Sequence, residues 1–459
     1  MGARKHPLGA LSKYFPGVSL LTSYRARWLP RDLFAALGVS AMLVAQGMAF
    51  AYLVGVPPSL GLWAGIASLL GYAAFGPSRQ LNVGPEAGTA ILTLAVISPL
   101  GVGGAEHLAL PALLALGTGG LLLILGFFRL GALADFLSQP LLVGYLNGMA
   151  FVILASQLGD ITGSTIEAQG FFSQLREFFG KIDSIHGPTT ALSLATITVV
   201  VVCRLLSPRF PGTVLAVVLA TLLSFLLGWE DEIALVGAID TSLPQLGLPP
   251  FPDVAMLSRL IPGVIALALL GYASAVLTSR AFADKNGYRV DANQEFYGLA
   301  AANLFSGLLG AFPVAASESR TAVNDLSGGR TQMVSVFGAG FLLLTLAFLS
   351  PVVAYLPLAT LGAVVVTAGL FLIDIPSLVR LARVRPSECV VAILTSVGVL
   401  ALGILPGILL AIGLATLDLV RHATRPHDAI LGRIKGKPGY HGIDTEAPSS
   451  IVPGLLIYR

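Results

Sequence analysis

Charge is what this chain has least of. Of its 459 residues only 11% are Asp, Glu, Lys or Arg, where a soluble domain carries about 25%. A folded surface needs charge to stay in water, so a water-soluble enzyme is excluded. With 55% of residues hydrophobic, a disordered chain is excluded as well. Cysteine is scarce too. Cys203 and Cys389 stand far apart, form no disulfide framework or metal spacing, and read as small buried apolar residues. The histidines, His6, His107, His186, His422, His427 and His441, all fall in expected loops or tails. That leaves no membrane histidine for a metal site or a proton relay. No GxxxxGK[ST] run is present, which argues against ATP-driven transport. A net charge of +3 is too small to suggest a nucleic-acid partner. No cofactor is implied.

What is present is long apolar runs. The mean hydropathy is +0.84, and runs such as 33–54, 109–128 and 331–350 show no alternation. Barrel strands alternate over about 10 residues, whereas a helix needs about 20 apolar residues to cross a bilayer. The chain therefore reads as an all-α polytopic membrane protein. Helices are expected near 33–54, 58–75, 85–99, 109–128, 131–157, 190–206, 211–228, 259–280, 296–311, 318–327, 332–350, 355–372, 388–403 and 406–420. The first 30 residues lack the apolar core of a signal peptide. With the N-terminus in the cytoplasm, Lys and Arg concentrate on the cytoplasmic side, and only Arg176, Lys181 and Arg259 fall outside. The expected location is the inner (plasma) membrane, multi-pass, with both termini cytoplasmic. Between these helices, 158–188 reads as an interfacial amphipathic loop helix. Glu230-Asp231-Glu232 reads as a solvated loop, and Asp374 as a helix end or cap.

Two segments, 85–99 and 318–327, are too short to span, and each follows a polar or Pro-containing break. They stand third in each half if the helices divide as seven plus seven, which gives the halves opposite orientation. Paired short segments at matching positions point to a transporter's binding site. A half-helix starting inside the membrane leaves N–H groups without partners, and its dipole makes that end partly positive. Two such ends facing each other form an anion cradle. The first start reads Gly84-Pro85-Glu86-Ala87-Gly88-Thr89 and the second Ala315-Ala316-Ser317-Glu318-Ser319-Arg320-Thr321. Small residues admit a ligand to the backbone, and Thr89, Ser317 and Ser319 add hydroxyl donors. Arg320 is the basic residue assigned to the membrane interior, a functional candidate by default.

These residues carry a resemblance. Gln46-Gly47-Met48-Ala49-Phe50-Ala51 is followed by Gly55-Val56-Pro57-Pro58, then by Leu60 to Trp63 and on to Gly76-Pro77-Ser78-Arg79. Asn82-Val83-Gly84-Pro85 comes next, and further on Ala283-Asp284-Lys285, Asn303 to Gly307, Phe312-Pro313 and Ser319-Arg320 through Asn324 to Arg330. In this order the chain resembles the SulP anion permeases, the sulfate-permease family. The resemblance implies about fourteen helices in two 7+7 inverted repeats, with half-helices third and tenth. It implies a transport (core) domain at about 32–128 and 259–350 and a gate domain at about 129–228 and 351–425. Residues 1–31 are then a cytoplasmic N-terminus and 32–425 the transmembrane unit. Residues 426–459 resemble the family's linker, with Leu431-Gly432-Arg433, followed by the first strand of a truncated STAS domain at 452–459. A homodimer is expected from the family alone.

The expected function is secondary active transport of a small anion such as a dicarboxylate, sulfate or bicarbonate, by an elevator-like alternating access. The substrate-binding candidates are Gln46, Phe50, Glu86, Ala87, Thr89, Tyr272, Ser317, Glu318, Ser319 and Arg320. Gln46 would donate hydrogen bonds, and Phe50 and Tyr272 would shape the pocket. Against the family pattern, acid is gained at Glu86 and Glu318, and Ser274 stands where an acid is common. Two carboxylates beside one anion cannot all stay charged in a low-dielectric site. Glu86 and Glu318 are therefore the proton-coupling candidates, with protons as co-substrate. The alternatives are a nucleobase:proton symporter of the same fold and a passive anion channel.

Overall fold

The computed structural model describes residues 16–17, 24–101, 104–131, 139–168, 170–207, 211–229, 232–237, 244, 246–250, 252–384, 386–404, 406–407, 410, 413–414, 430–434, 441–442, 449–450 and 457–458. They fall into two units, Met1–Ala411 and Ile412–Arg459.

In the first unit the chain is helical almost throughout. The first half holds α1 (Leu29–Val54), α2 (Pro58–Phe75), strand β1 (Val83–Gly84), α3 (Ala87–Ile97), α4 (Gly104–Phe127), α5 (Gln139–Ser156), α6 (Leu158–Thr162), α7 (Phe171–Gly180), α8 (Gly187–Leu206) and α9 (Gly212–Leu227). The second half holds α10 (Val254–Lys285), α11 (Ala292–Leu308), strand β2 (Ala315–Ala316), α12 (Glu318–Leu326), α13 (Met333–Leu344), α14 (Leu358–Leu372), α15 (Ile375–Val384) and α16 (Pro386–Leu402). After α13 the helix continues through a π-turn at Thr345–Leu349 to Val353. Among the described residues, seven helices are long and apolar enough to cross a membrane.

Local sequence explains the boundaries. Pro30 sits in the first turn of α1, where a missing N–H costs nothing, and Gly55 ends that helix at φ 84, a left-handed conformation that favours glycine. Pro58 opens α2. Asp253 caps α10 by accepting from the Met256 N–H at 2.8 Å, and Asp291 caps α11 through the Asn293 N–H at 2.8 Å. Where α1 crosses α2 the backbones of Gly47 and Gly61 touch, so neither position has room for a side chain.

Helices α1, α2, α4, α10, α11 and α13 pack as one group, and α5, α8, α9, α14 and α16 as another. Helix α14 also touches α1 and α3, joining the two groups. Polarity is inverted relative to a soluble protein. Leu206 is 81% and Phe127 75% exposed, while Asp32, Asn82 and Arg320 are each 0% exposed. Apolar side chains on the outside suit a hydrocarbon surround, and the polar groups find their partners within.

Two expectations need correction. The run Ile375–Val384, not expected as a helix, forms α15, capped by Asp374 accepting from the Ser377 N–H at 3.0 Å. Its arginines Arg380 and Arg383 interleave with apolar residues, so it is amphipathic and too short to read as a span. In the second unit, Leu431-Gly432-Arg433 lies not in a linker but in the central strand β3 (Ile430–Ile434). Strands β4 (His441–Gly442), β5 (Ser449–Ser450) and β6 (Ile457–Tyr458) all pair with β3 in antiparallel fashion. The strand expected over 452–459 is described only at Ile457–Tyr458. The last expected helix, 406–420, and residues 132–138 of the fifth lie largely or wholly outside the described residues.

Candidate anion-binding site

Strands β1 and β2 bring the two halves of the chain together. Val83 pairs with Ala316 and Gly84 with Ala315, antiparallel, and the Ser317 N–H donates to the Asn82 carbonyl at 2.9 Å. Each strand leads directly into a short helix, so α3 and α12 begin side by side and run away in opposite directions. Both are shorter than a span. Ala87, Gly88 and Thr89 at the start of α3 and Ser317 and Arg320 at the start of α12 are buried, and these ends carry the positive pole of each helix dipole.

The start of α3 is already occupied by its own carboxylate. Glu86 is the N-cap, and its Oε2 accepts from the Gly88 N–H at 2.7 Å and the Thr89 N–H at 3.2 Å. The Thr89 hydroxyl donates back to the Glu86 carbonyl at 3.1 Å. Ala87 is buried at the first helical position. Two of the N–H groups expected to hold a substrate are thus held by Glu86, and the Thr89 hydroxyl is committed to the cap.

The start of α12 is capped by a neutral side chain. Ser317 Oγ accepts from the Arg320 N–H at 3.4 Å and lies 3.2 Å from Ser319 Oγ. Ser317 is buried, whereas Glu318 and Ser319 are exposed at the open side of the helix start. Arg320 is fully buried. Its Nε donates to Asn82 Oδ1 and its Nη1 to Gln46 Oε1, each at 2.9 Å. Its Nη2 and the Nδ2 of Asn82 are buried without a hydrogen-bond partner among the described residues. A side chain at Gly84 would meet Arg320 Nη2 at 3.2 Å, so glycine keeps the strand close to the guanidinium.

Glu86 and Arg320 attract each other electrostatically without direct ion-pair contact. Arg204 at the end of α8, whose guanidinium stacks on the Phe371 ring at 3.6 Å, lies within electrostatic range of Glu318.

Phe50 is buried on α1, one turn from Gln46. Tyr272, expected to shape the pocket, is buried on α10. Its hydroxyl donates to the Gly131 and Ala292 carbonyls, both at 3.0 Å, and its ring stacks on Phe296 at 3.7 Å. Elsewhere on α10, Leu270 lies against Gly88 and Gly263 against Val96 of α3, and Gly271 lies against Ala315 of β2. Two further residues were not expected here. Asn82 belongs to the quoted motif, yet nothing in the sequence shows that its amide receives Arg320. Tyr145 of α5 is buried, its hydroxyl without a partner among the described residues and in electrostatic range of Glu86. Its apolar helix gives no sequence signal of that.

Among the described residues, no group of His, Cys, Asp and Glu is arranged for a metal ion. Two opposed half-helices around a buried cation, inside a bundle with an apolar exterior, are the architecture of a membrane transport protein. A model of the sulfate permease family matches residues 29–395, and the chain belongs to that family. It is 42% identical over 446 residues to a probable sulfate transporter of Mycobacterium tuberculosis strain CDC 1551, covering 97% of this chain and 80% of that one. It is 27% identical over 489 residues to human solute carrier family 26 member 6, covering 100% of this chain and 64% of that one. Among solved structures, the transmembrane domain of a cyanobacterium bicarbonate transporter, BicA, matches with a TM-score of 0.76 at 25% identity, covering 85% of this chain and 99% of that one. SLC26A9 matches with a TM-score of 0.84 at 24% identity, covering 98% of this chain and 74% of that one, which speaks to the fold alone.

Proposed function

We propose that this chain is a proton-coupled secondary active transporter of a small anion, bound between the starts of α3 and α12. The observation that carries this reading is Arg320, whose fully buried guanidinium keeps one nitrogen without a partner among the described residues. A buried donor of that strength is costly to leave unmade, and an anion carboxylate, sulfate or bicarbonate oxygen satisfies it. The free Asn82 amide nitrogen beside it adds a second donor. A neutral nucleobase would leave the cation uncompensated, which favours the anion reading.

Glu86 supplies the coupling. Its carboxylate holds the N–H pair of Gly88 and Thr89 as a tethered anion. A substrate anion competes for the same donors, and protonation weakens Glu86 as an acceptor and releases them. One proton then accompanies one anion, which is symport. This favours a dicarboxylate or another weak-acid anion over sulfate. Glu318 is the second candidate, exposed at the start of α12. The movement follows the packing. The group holding the half-helices slides against the group built on α5, α8, α9, α14 and α16, in an elevator-like alternating access, with α14 as the shared contact. The family context adds an inner-membrane, multi-pass placement with cytoplasmic termini, and a homodimer.

The test is uptake of labelled succinate, sulfate and bicarbonate into proteoliposomes, with and without an inward proton gradient. The reading requires gradient-driven accumulation of at least one anion by the parent and none by Arg320→Gln. Equilibration without accumulation under any gradient would instead identify a passive channel, and uptake of uracil alone a nucleobase carrier.

A further inference from the structure

A second concavity lies in the same unit, outside the candidate transport site. It has a volume of ≈ 980 Å³ and is lined by Arg27, Arg31, Arg79 and Arg330. Among its described lining residues none is acidic. Three separate stretches bring these arginines together: the start of α1, the segment after α2, and the segment between α12 and α13.

Those stretches are braced to one another. Asp32, fully buried, accepts from the Arg330 N–H and from the Thr331 hydroxyl, both at 2.7 Å. Gln332 Nε2 donates to the carbonyls of Ser78 at 2.8 Å and Leu81 at 2.9 Å. The Arg79 guanidinium lies over the Tyr288 ring at 4.9 Å, and the backbone N–H of Arg79 donates to the Tyr288 hydroxyl at 3.1 Å. Asp32 supplies one negative charge against the four guanidiniums.

Four like charges around one cavity repel each other, and a rigid scaffold that holds them there favours a multivalent counter-anion. Guanidinium forks match phosphate oxygens two at a time. Trp28 lines the cavity where α1 begins, and tryptophan favours the membrane–water boundary. We infer that this cavity is a phosphate-binding site, separate from the transport site. Its ligand is a phosphate-bearing polyanion, either the headgroup of an anionic lipid or a soluble polyphosphate.

The experiment uses the purified full chain. One arm titrates pyrophosphate in zwitterionic detergent and follows binding by calorimetry. The other compares retention of phosphatidic acid with that of phosphatidylcholine by native mass spectrometry. The parent binds at least one probe, more weakly as salt rises. Arg79→Gln with Arg330→Gln weakens that binding by about tenfold or more, as loss of two charge-assisted contacts requires. Arg27→Gln with Arg31→Gln does the same from the other wall, so the result does not hang on one variant. Both pairs are exposed, and an unchanged melting temperature checks folding. Arg380→Gln on α15 binds like the parent. Pyrophosphate binding alone identifies a soluble ligand, phosphatidic acid retention alone a lipid, and either supports the site. Binding of neither probe, affinity equal to the parent's in both double variants, or loss of binding in Ser319→Trp would overturn it, the last by showing that the transport site was being read.

Discussion

Arg320 and Gln46 stand 274 positions apart, yet the Nη1 of one donates to the Oε1 of the other at 2.9 Å. Together with Asn82 Oδ1 on Nε, this contact fixes the guanidinium plane and leaves Nη2 as the free corner. In the proposed function, this corner, without a partner among the described residues, receives the substrate anion.

Replacing Arg320 by Gln should abolish saturable uptake. Losing a hydrogen bond from a charged group corresponds to about 1.5–3 kcal/mol, roughly 10- to 100-fold in substrate affinity. The same change strands Gln46 Oε1 and Asn82 Oδ1, at about 1–3 kcal/mol of stability. Radiolabel uptake and a thermal melt of the same preparation separate the two effects. Wild-type uptake in a folded variant would remove Arg320 from the site.

Glu86→Gln should uncouple the proton. An amide can still accept from Gly88 and Thr89, so the helix cap survives, but it no longer titrates. Uptake by the parent rises as the outside is acidified, because protons are co-substrate, while uptake by Glu86→Gln stays flat across the same pH range. Glu86→Ala also loses the cap, at about 1 kcal/mol. Parallel measurements on Glu318→Gln decide which carboxylate carries the proton; a pH response unchanged in both variants excludes the pair.

Ser319→Trp should eliminate uptake and leave folding intact. Ser319 is exposed at the open side of the α12 start, so an indole fits the fold while filling the approach to the donors. Normal transport by this variant would move the substrate elsewhere.

Tyr272→Phe should leave KM unchanged. Its hydroxyl serves the carbonyls of Gly131 and Ala292, so the change costs stability of about 0.5–1.5 kcal/mol per bond removed. A shift in KM without a shift in melting temperature would return Tyr272 to the binding pocket.

Gly61→Ala should destabilise the bundle strongly. The added methyl would collide with the Gly47 carbonyl across the α1–α2 crossing. Overpacking of this kind costs about 1–3 kcal/mol, and backbone atoms yield less than side chains. A thermal melt in detergent equal to the parent's would show that the two helices separate readily there.

How much of this was legible in the sequence differs from element to element. Helix α2 begins at Pro58 and ends at Phe75 as hydropathy and proline placement predict, because both signals are local. The short α3 and α12 were visible as interruptions in apolar runs, and Arg320 as a charge where the membrane tolerates none without a role. Helix α15 was not, because its alternating arginines lower the hydropathy on which the reading relied. Glu86 was found as a residue but not as a cap. Whether a carboxylate faces a substrate or its own helix depends on a side-chain torsion that composition does not encode.

The sequence by itself determined that this chain lives in a membrane, that it is helical, and that two short helices at matching positions interrupt it. Those properties follow from hydrophobic run length, proline and glycine punctuation and charge scarcity, all of which act over a few turns. Only the tertiary structure decided that Val83 pairs with Ala316, that Asn82 and Gln46 hold Arg320, and that the Tyr272 hydroxyl donates to the Gly131 and Ala292 carbonyls. These are meetings between residues up to 274 positions apart. Their geometry comes from how helices pack against one another, because a buried polar group can be satisfied by any donor or acceptor the fold brings within reach.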